Sequence, residues 1–221
     1  MDIPRNGTAH IKLQDPLVLV VARWVLASVS IIANSLVIFV FVYNKTYKKS
    51  LSLKLLLHQA VIDLTGSLMF LVFYNIDVPD GTGGTIFCKM GSLLAYISLA
   101  SAYNFVTITV ERYIAVVHPI IYRQRSLGGK MKYLSFSIPY VCSAVLTVVH
   151  TISIDVDANI AACIVKEFNA VAEVLLIIAD WLIPISIMLY CYVRMLLKLH
   201  KTRVVSQQPS SEVPTSNGRR Y

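Results

Sequence analysis

The chain has 221 residues, of which 56% are hydrophobic and 14% charged, and its formal net charge is +8 at pH 7. Soluble globular domains carry roughly 25% charged residues, so this composition excludes an ordinary water-soluble domain. The apolar residues are concentrated in blocks about as long as the ~20 residues that a helix needs to cross a bilayer.

Five apolar blocks predict five transmembrane helices, because lipid favours segments whose backbone hydrogen bonds are internal. The short alternating segments typical of a membrane β-barrel are not seen. The predicted spans are, in order, about 20–43, 53–76, 87–117, 133–154 and 170–199. The start of the chain is polar, so we expect an extracellular segment over 1–19 and no cleaved signal peptide. Residues 200–221 lack an apolar block, which predicts a disordered cytoplasmic tail.

Charges in the connections predict the orientation. Basic residues occupy the first and third connections and follow the fifth span, whereas the other two connections contain acids. Lys and Arg favour the cytoplasmic side, so the N-terminus is predicted outside and the C-terminus inside. The sequon at Asn6 then lies outside, where it can be glycosylated. Nucleic-acid binding is not favoured, because the positive charge is spread over three loops beside membrane spans.

Four cysteines divide into two pairs by predicted position. Cys88 and Cys163 lie in the two outer connections, and Cys142 and Cys191 lie inside the fourth and fifth spans. An oxidising exterior would allow Cys88 and Cys163 to form a disulfide, and two free thiols are the alternative.

Three polar side chains are predicted at one depth in three different spans. Helical rise places Asn34, Asp63 and Ser101 about 13 to 16 Å from the inner ends of their helices. An ionisable group in hydrocarbon usually faces the bundle interior. A carboxylate, an amide and a hydroxyl could bind a small cation with water. A protonated Asp63 with hydrogen bonds to its neighbours is the alternative.

The inner ends of the third and fifth spans also carry polar groups. Arg112 lies about 36 Å of helix below Cys88, at the predicted inner end of the third span. Pro184 lacks an N–H, which predicts a kink or bulge in the fifth span. Tyr192 lies two turns further in, near the level of Arg112, so the two side chains could form a hydrogen bond.

Taken in order, these residues resemble the rhodopsin-like (class A) G protein-coupled receptors over residues 20–199. The matching pieces are "ANSLVIFV" around Asn34, "HQAVIDL" around Asp63, Cys88 at the start of the third helix, "ERYIAVVHP" from Glu111, and the pair Pro184 and Tyr192. The resemblance implies an all-α membrane fold, with five of the seven helices of a receptor bundle. It also implies a multi-pass plasma-membrane receptor that is not an enzyme and has no cofactor beyond a sodium ion.

The resemblance assigns roles to individual residues. Asn34, Asp63 and Ser101 would form the sodium and water pocket, with the sodium ion at Asp63 and Ser101, and Cys88 and Cys163 would form the outer disulfide. The switch residues and inner-loop contacts for a heterotrimeric G protein would be Glu111, Arg112, Tyr113, Pro119, Tyr122 and Tyr192. In this family the acid restrains the arginine at rest. Ordinary interfacial charges are the alternative for Glu111 and Arg112.

The sequence also departs from the family. The fourth span has no tryptophan, for which Tyr140 is the predicted substitute, and His58 replaces a small polar residue. The family's sixth and seventh helices are absent, which predicts an incomplete form of a receptor. The alternative is a five-helix product that associates with full-length receptors, as in a receptor oligomer, and modulates them.

The ligand class leaves little trace in the sequence. No acid lies in the outer part of the third span, so an extracellular peptide is favoured over a monoamine. Glu173, Asp180 and Tyr96 are candidate ligand contacts. The alternative for the two acids is that they reach the membrane surface or pair with Lys89 or Lys166.

Overall fold

The computed structural model describes residues 16–79, 81–126, 129–157, 162–165 and 170–206. Within them, five helices are long and apolar enough to cross a membrane. The helices are α1 (Leu17–Tyr43), α2 (Leu51–Asn75), α3 (Thr82–Val117), α4 (Pro119–Ser126), α5 (Gly129–Ser153), α6 (Ala170–Ile177) and α7 (Ile183–Ser206). A π-helical segment, Ile178–Leu182, joins α6 and α7 into the fifth span. The predicted all-α fold with five spans is confirmed.

Helix ends follow local chemistry. Ser50 precedes α2, and its hydroxyl accepts a hydrogen bond from the Leu53 amide at 3.2 Å, which satisfies one of the free donors of the first turn. α3 ends at Val117, and the next residue, His118, has φ and ψ of −126° and 60°. The residue before a proline disfavours helical geometry, and Pro119 itself suits the first position of α4. The chain therefore turns between α3 and α4 at this dipeptide.

α3 lies at the centre of the bundle. It packs against α2, α5 and α7, while α1 packs mainly against α2. Gly66 of α2 allows a close approach to α3, because a Cβ atom there would lie 3.1 Å from a methyl group of Ile97. Large apolar side chains on α1 and the fifth span are exposed, as expected of helices that contact lipid.

A π-bulge in the fifth span lies just before Pro184. The Ile183 amide bonds to the carbonyl of Ile178, five residues earlier. In the same register the next donor would be Pro184, which has no N–H, so the Ala179 carbonyl loses its backbone partner. The Tyr103 hydroxyl of α3 donates to that carbonyl at 2.9 Å. The bulge therefore provides a polar contact between α3 and the fifth span.

The C-terminal boundary differs from the prediction. α7 continues to Ser206, so the prediction that residues 200–206 are disordered is wrong. No proline interrupts the sequence before Pro209. Residues 207–221, like Asn6 and the rest of 1–15, lie outside the described residues.

A two-stranded hairpin that the sequence did not predict joins α5 to the fifth span. Its strands are β1 (Ile154–Asp157) and β2 (Ala162–Val165), antiparallel with Val156 opposite Cys163. β1 packs against α3. The hairpin therefore covers the end of α3 that carries Cys88.

Candidate functional site

The predicted disulfide fixes the hairpin to α3. Cys88, which is 1% exposed, is bonded to Cys163. Their Cα atoms are 5.4 Å apart, within the usual range for a disulfide. Cys142 and Cys191 are free. The predicted pairing is confirmed, and it links β2 of the hairpin to α3.

The polar layer brings two of its three predicted members together. The Ser101 hydroxyl donates to Oδ1 of Asp63 at 2.7 Å. The same oxygen accepts from Nε2 of Gln59 at 2.8 Å. Asn34 instead donates to the Ser30 carbonyl of its own helix at 2.9 Å. Gln59 is a member of this site that the sequence reasoning missed, although its position one turn before Asp63 places it on the same helix face.

A cavity of about 620 Å³ adjoins this layer between α1, α2 and α3. Its polar lining residues are Ser30, Asn34, Asp63, Ser67, Tyr74, Ser98 and Ser101. The hydroxyls of Ser30 and Ser67 are 2.6 Å apart, and Ser67 also donates to the Asp63 carbonyl at 2.7 Å. Asn34 therefore shares a cavity with Asp63 without bonding to its carboxyl group.

At the other end of α3, Glu111 joins three helices. Its side chain is buried, at 7% exposure. Oε1 accepts from the Tyr122 hydroxyl of α4 at 2.7 Å, and Oε2 accepts from the Ser52 hydroxyl of α2. Burial, and then the hydrogen bond and charge of Glu111, raise the pKa of Tyr122 to about 12, so its hydroxyl stays protonated at neutral pH.

Arg112 is exposed and forms no ion pair with any described residue. Neighbouring residues of a helix point in different directions, so Glu111 faces inward while Arg112 faces outward. In this arrangement Glu111 restrains α2 and α4 rather than the arginine.

The remaining predicted switch residues surround this end of α3. The Tyr113 ring lies 5.7 Å from that of His118 and 6.1 Å from that of Tyr190 in α7, between ring centroids. Tyr192 is 55% exposed, and the structure gives it no hydrogen bond to Arg112 among the described residues. Pro119 is exposed at the start of α4. Tyr190, which the sequence reasoning did not single out, is thus the tyrosine of α7 that meets α3.

His58 and Tyr140, two departures from the family pattern, contact each other between α2 and α5. Nε2 of His58 lies 2.6 Å from the Tyr140 hydroxyl. Phe136 packs edge-on against the imidazole, with centroids 5.1 Å apart. Tyr96 of α3 stacks on Tyr140 at 6.3 Å. Tyr96, a candidate ligand contact, is therefore part of the packing between α3 and α5.

The two acids of the fifth span lie in different environments. Oδ2 of Asp180 lies 3.0 Å from Nε2 of His150 in α5. The Asp180 side chain is only 12% exposed, whereas Glu173 is exposed. Within the described residues neither acid pairs with Lys89, and Lys166 lies outside them. Asp180 therefore links α5 to the fifth span, and Glu173 is the acid open to the surroundings.

The chain is similar to known receptors over most of its length. The model of the seven-transmembrane receptors of the rhodopsin family matches residues 33–218. C-C chemokine receptor type 8 of Macaca mulatta is 27% identical over 203 residues, which cover 86% of this chain and 56% of that receptor. The high-affinity lysophosphatidic acid receptor of Xenopus laevis is 26% identical over 198 residues, covering 85% and 52%. C-X-C chemokine receptor type 2 of Mus musculus is 28% identical over 203 residues, covering 82% and 54%.

The chain spans about half the length of these relatives. Members of the family are receptors rather than enzymes. Three findings support the same family: the match to its model, the five apolar helices, and the disulfide between α3 and the hairpin. The chain is therefore a multi-pass plasma-membrane protein that belongs to the rhodopsin family of seven-transmembrane receptors.

Proposed function

We propose that this chain forms the first five helices of a receptor that binds an extracellular ligand and activates a heterotrimeric G protein. The observation that carries the proposal is the course of α3. One continuous helix leads from the disulfide at Cys88 to the exposed Arg112, while the neighbouring Glu111 is buried and hydrogen-bonded. The N-terminal end would face the ligand and the Arg112 end the G protein.

We propose a polypeptide as the ligand, because two of the relatives are named as chemokine receptors. Glu173 is the exposed acid of the fifth span and could meet a cationic group of such a polypeptide. A monoamine is disfavoured, since the outer part of the third span has no acid. A lysophospholipid is the second candidate, supported by similarity to a receptor named for lysophosphatidic acid.

We also propose that signalling requires the family's sixth and seventh helices, so that this chain represents an incomplete form. The relatives are about twice as long as the part that matches. The second candidate is a five-helix protein that associates with full-length receptors and modulates them. The exposed apolar residues of α1 and the fifth span would provide its contact surface.

The test uses a receptor in which this chain is completed with a sixth and a seventh helix. Arg112→Ala is expected to abolish guanine-nucleotide exchange at constant surface level, because the exposed guanidinium would be lost while the buried contacts of Glu111 remain. Panels of chemokines and lysophospholipids serve as probes. Arg123→Ala, which removes an exposed cation of α4, is the matched control and should leave exchange unchanged. Normal exchange in Arg112→Ala would contradict the proposed role.

A further inference from the structure

Gln59 is a buried amide in the centre of the bundle, next to the residues of the predicted sodium pocket. Its side chain is 4% exposed. Nε2 lies 2.8 Å from Oδ1 of Asp63 and 2.6 Å from Oγ of Ser101. Ser101 also donates to Asp63 at 2.7 Å. The three side chains therefore form a closed triangle of hydrogen bonds, in which the amide nitrogen contacts both oxygens expected to bind the ion.

The orientation of the Gln59 amide follows from its other neighbour. Asn104 is 0% exposed, and its Nδ2 lies 3.3 Å from the carbonyl oxygen of Leu55. A carbonyl oxygen only accepts hydrogen bonds, so the atom of Asn104 that faces it must be the nitrogen. The same nitrogen lies 2.8 Å from Oε1 of Gln59. Oε1 of Gln59 therefore faces Asn104, and its amide hydrogens point at Asp63 and Ser101. In this arrangement Oδ1 of Asn104 is buried without a partner among the described residues.

This orientation does not fit a sodium ion at Asp63 and Ser101. A hard cation needs oxygen ligands directed at it, whereas the Gln59 amide directs two N–H groups at the same place. Rotating the amide to supply an oxygen would set Nε2 against Nδ2 of Asn104, donor against donor, in a buried site. Asn34 forms no hydrogen bond to Asp63 or Ser101 among the described residues, and its Nδ2 donates to the Ser30 carbonyl.

We propose that Gln59 replaces the cation in this chain. Its amide is an uncharged internal partner for Asp63 and Ser101, and the core of the bundle is consequently insensitive to sodium. The proposal concerns ion binding alone, so its outcome is separate from whether the chain signals.

The test compares thermal unfolding of the purified full chain in lipid nanodiscs, in sodium chloride and in choline chloride at equal ionic strength. The wild-type chain is expected to show no sodium-specific change in Tm. Gln59→Leu removes the amide at similar volume and should open the site. At sodium near ten times its Kd, the variant should gain about 3 to 6 °C. Adding Asp63→Asn should remove that gain.

Three results would overturn the proposal. They are a sodium-specific rise in Tm of the wild-type chain that Asp63→Asn removes, a folded Gln59→Leu variant that does not respond to sodium, and a response that survives Asp63→Asn. If Gln59→Leu does not fold, Gln59→Met is used in its place. Sodium-23 NMR of the wild-type chain decides independently: line broadening that Asp63→Asn abolishes contradicts the proposal, and its absence supports the proposal.

Discussion

Glu111 is a buried acid that depends on two hydroxyl donors from other segments. Ser52 reaches it from α2 and Tyr122 from α4. A buried carboxyl group without partners is costly, so both donors stabilise the fold and hold α4 against the end of α3. The pair Glu111 and Tyr122 therefore fixes the short helix that follows the turn at His118 and Pro119.

Tyr122→Phe is expected to destabilise the chain by about 1 to 2 kcal/mol, because it removes one donor and leaves a buried oxygen unsatisfied. The contribution of Tyr122 is fully present below its ordinary pKa and is lost as pH rises through about 12. Chemical unfolding in micelles at neutral pH measures the loss. Tyr133→Phe, at a residue 78% exposed, is the control. Equal losses in the two variants would show that the hydrogen bond contributes nothing.

Several residues of the site could not be predicted from the sequence. Asn34, Asp63 and Ser101 stood out as polar groups in apolar blocks, and the structure joins the last two. In a membrane helix both the lipid face and the core face are apolar, so hydrophobic periodicity does not reveal which residues meet. The contacts of Gln59 and Asn104 depend on that unknown rotation.

At the scale of elements, the contact between α2 and α5 depends on a pair of side chains. His58 and Tyr140 are 2.6 Å apart, and Nδ1 of His58 is buried without a partner among the described residues. The sequence resemblance places a small polar residue and a tryptophan at the corresponding positions of the family. The two residues that depart from the family pattern therefore meet in a hydrogen bond between α2 and α5.

Single substitutions in this pair are expected to destabilise the chain, and a double exchange is expected to recover much of the loss. Tyr140→Phe leaves Nε2 of His58 without its partner, at a cost of about 1 to 3 kcal/mol. His58→Asn combined with Tyr140→Trp would form an indole-to-amide hydrogen bond in place of the native one. A double-mutant cycle on unfolding free energies measures the coupling. Additive losses would show that the two residues act independently.

The π-bulge in the fifth span was predictable from the sequence only in part. Pro184 alone predicted a disturbance in the fifth span, because it cannot donate a backbone hydrogen bond. The sequence could not indicate that Tyr103 of α3 would satisfy the freed carbonyl of Ala179, since that contact joins residues far apart in the chain. The hydrogen bond from Tyr103 is therefore one of the contacts that join α3 to the fifth span.

At the scale of the whole molecule, the number and order of spans followed from apolar length alone, because a bilayer requires a minimum helix length. The hairpin did not, since its strands are only four residues each. The extension of α7 to Ser206 was also missed, because a polar helix that leaves the membrane resembles a polar tail in composition. The length that a bilayer requires therefore makes the spans predictable from the sequence. The structure of the connections depends on tertiary contacts, which the sequence pattern does not reveal.

The 221-residue chain lacks the counterpart of a helix that receptors of this family use in signalling. In the family that it resembles, outward movement of the sixth helix opens the cavity for the G protein. In the described part of this chain, α3 packs against α2, α5 and α7, and none of these corresponds to that helix. The chain alone is therefore expected to give no ligand-driven nucleotide exchange. The measurement compares membranes that contain the chain with membranes that contain a completed seven-helix version at equal surface level. Robust exchange from the chain alone would contradict the proposal that signalling requires the sixth and seventh helices.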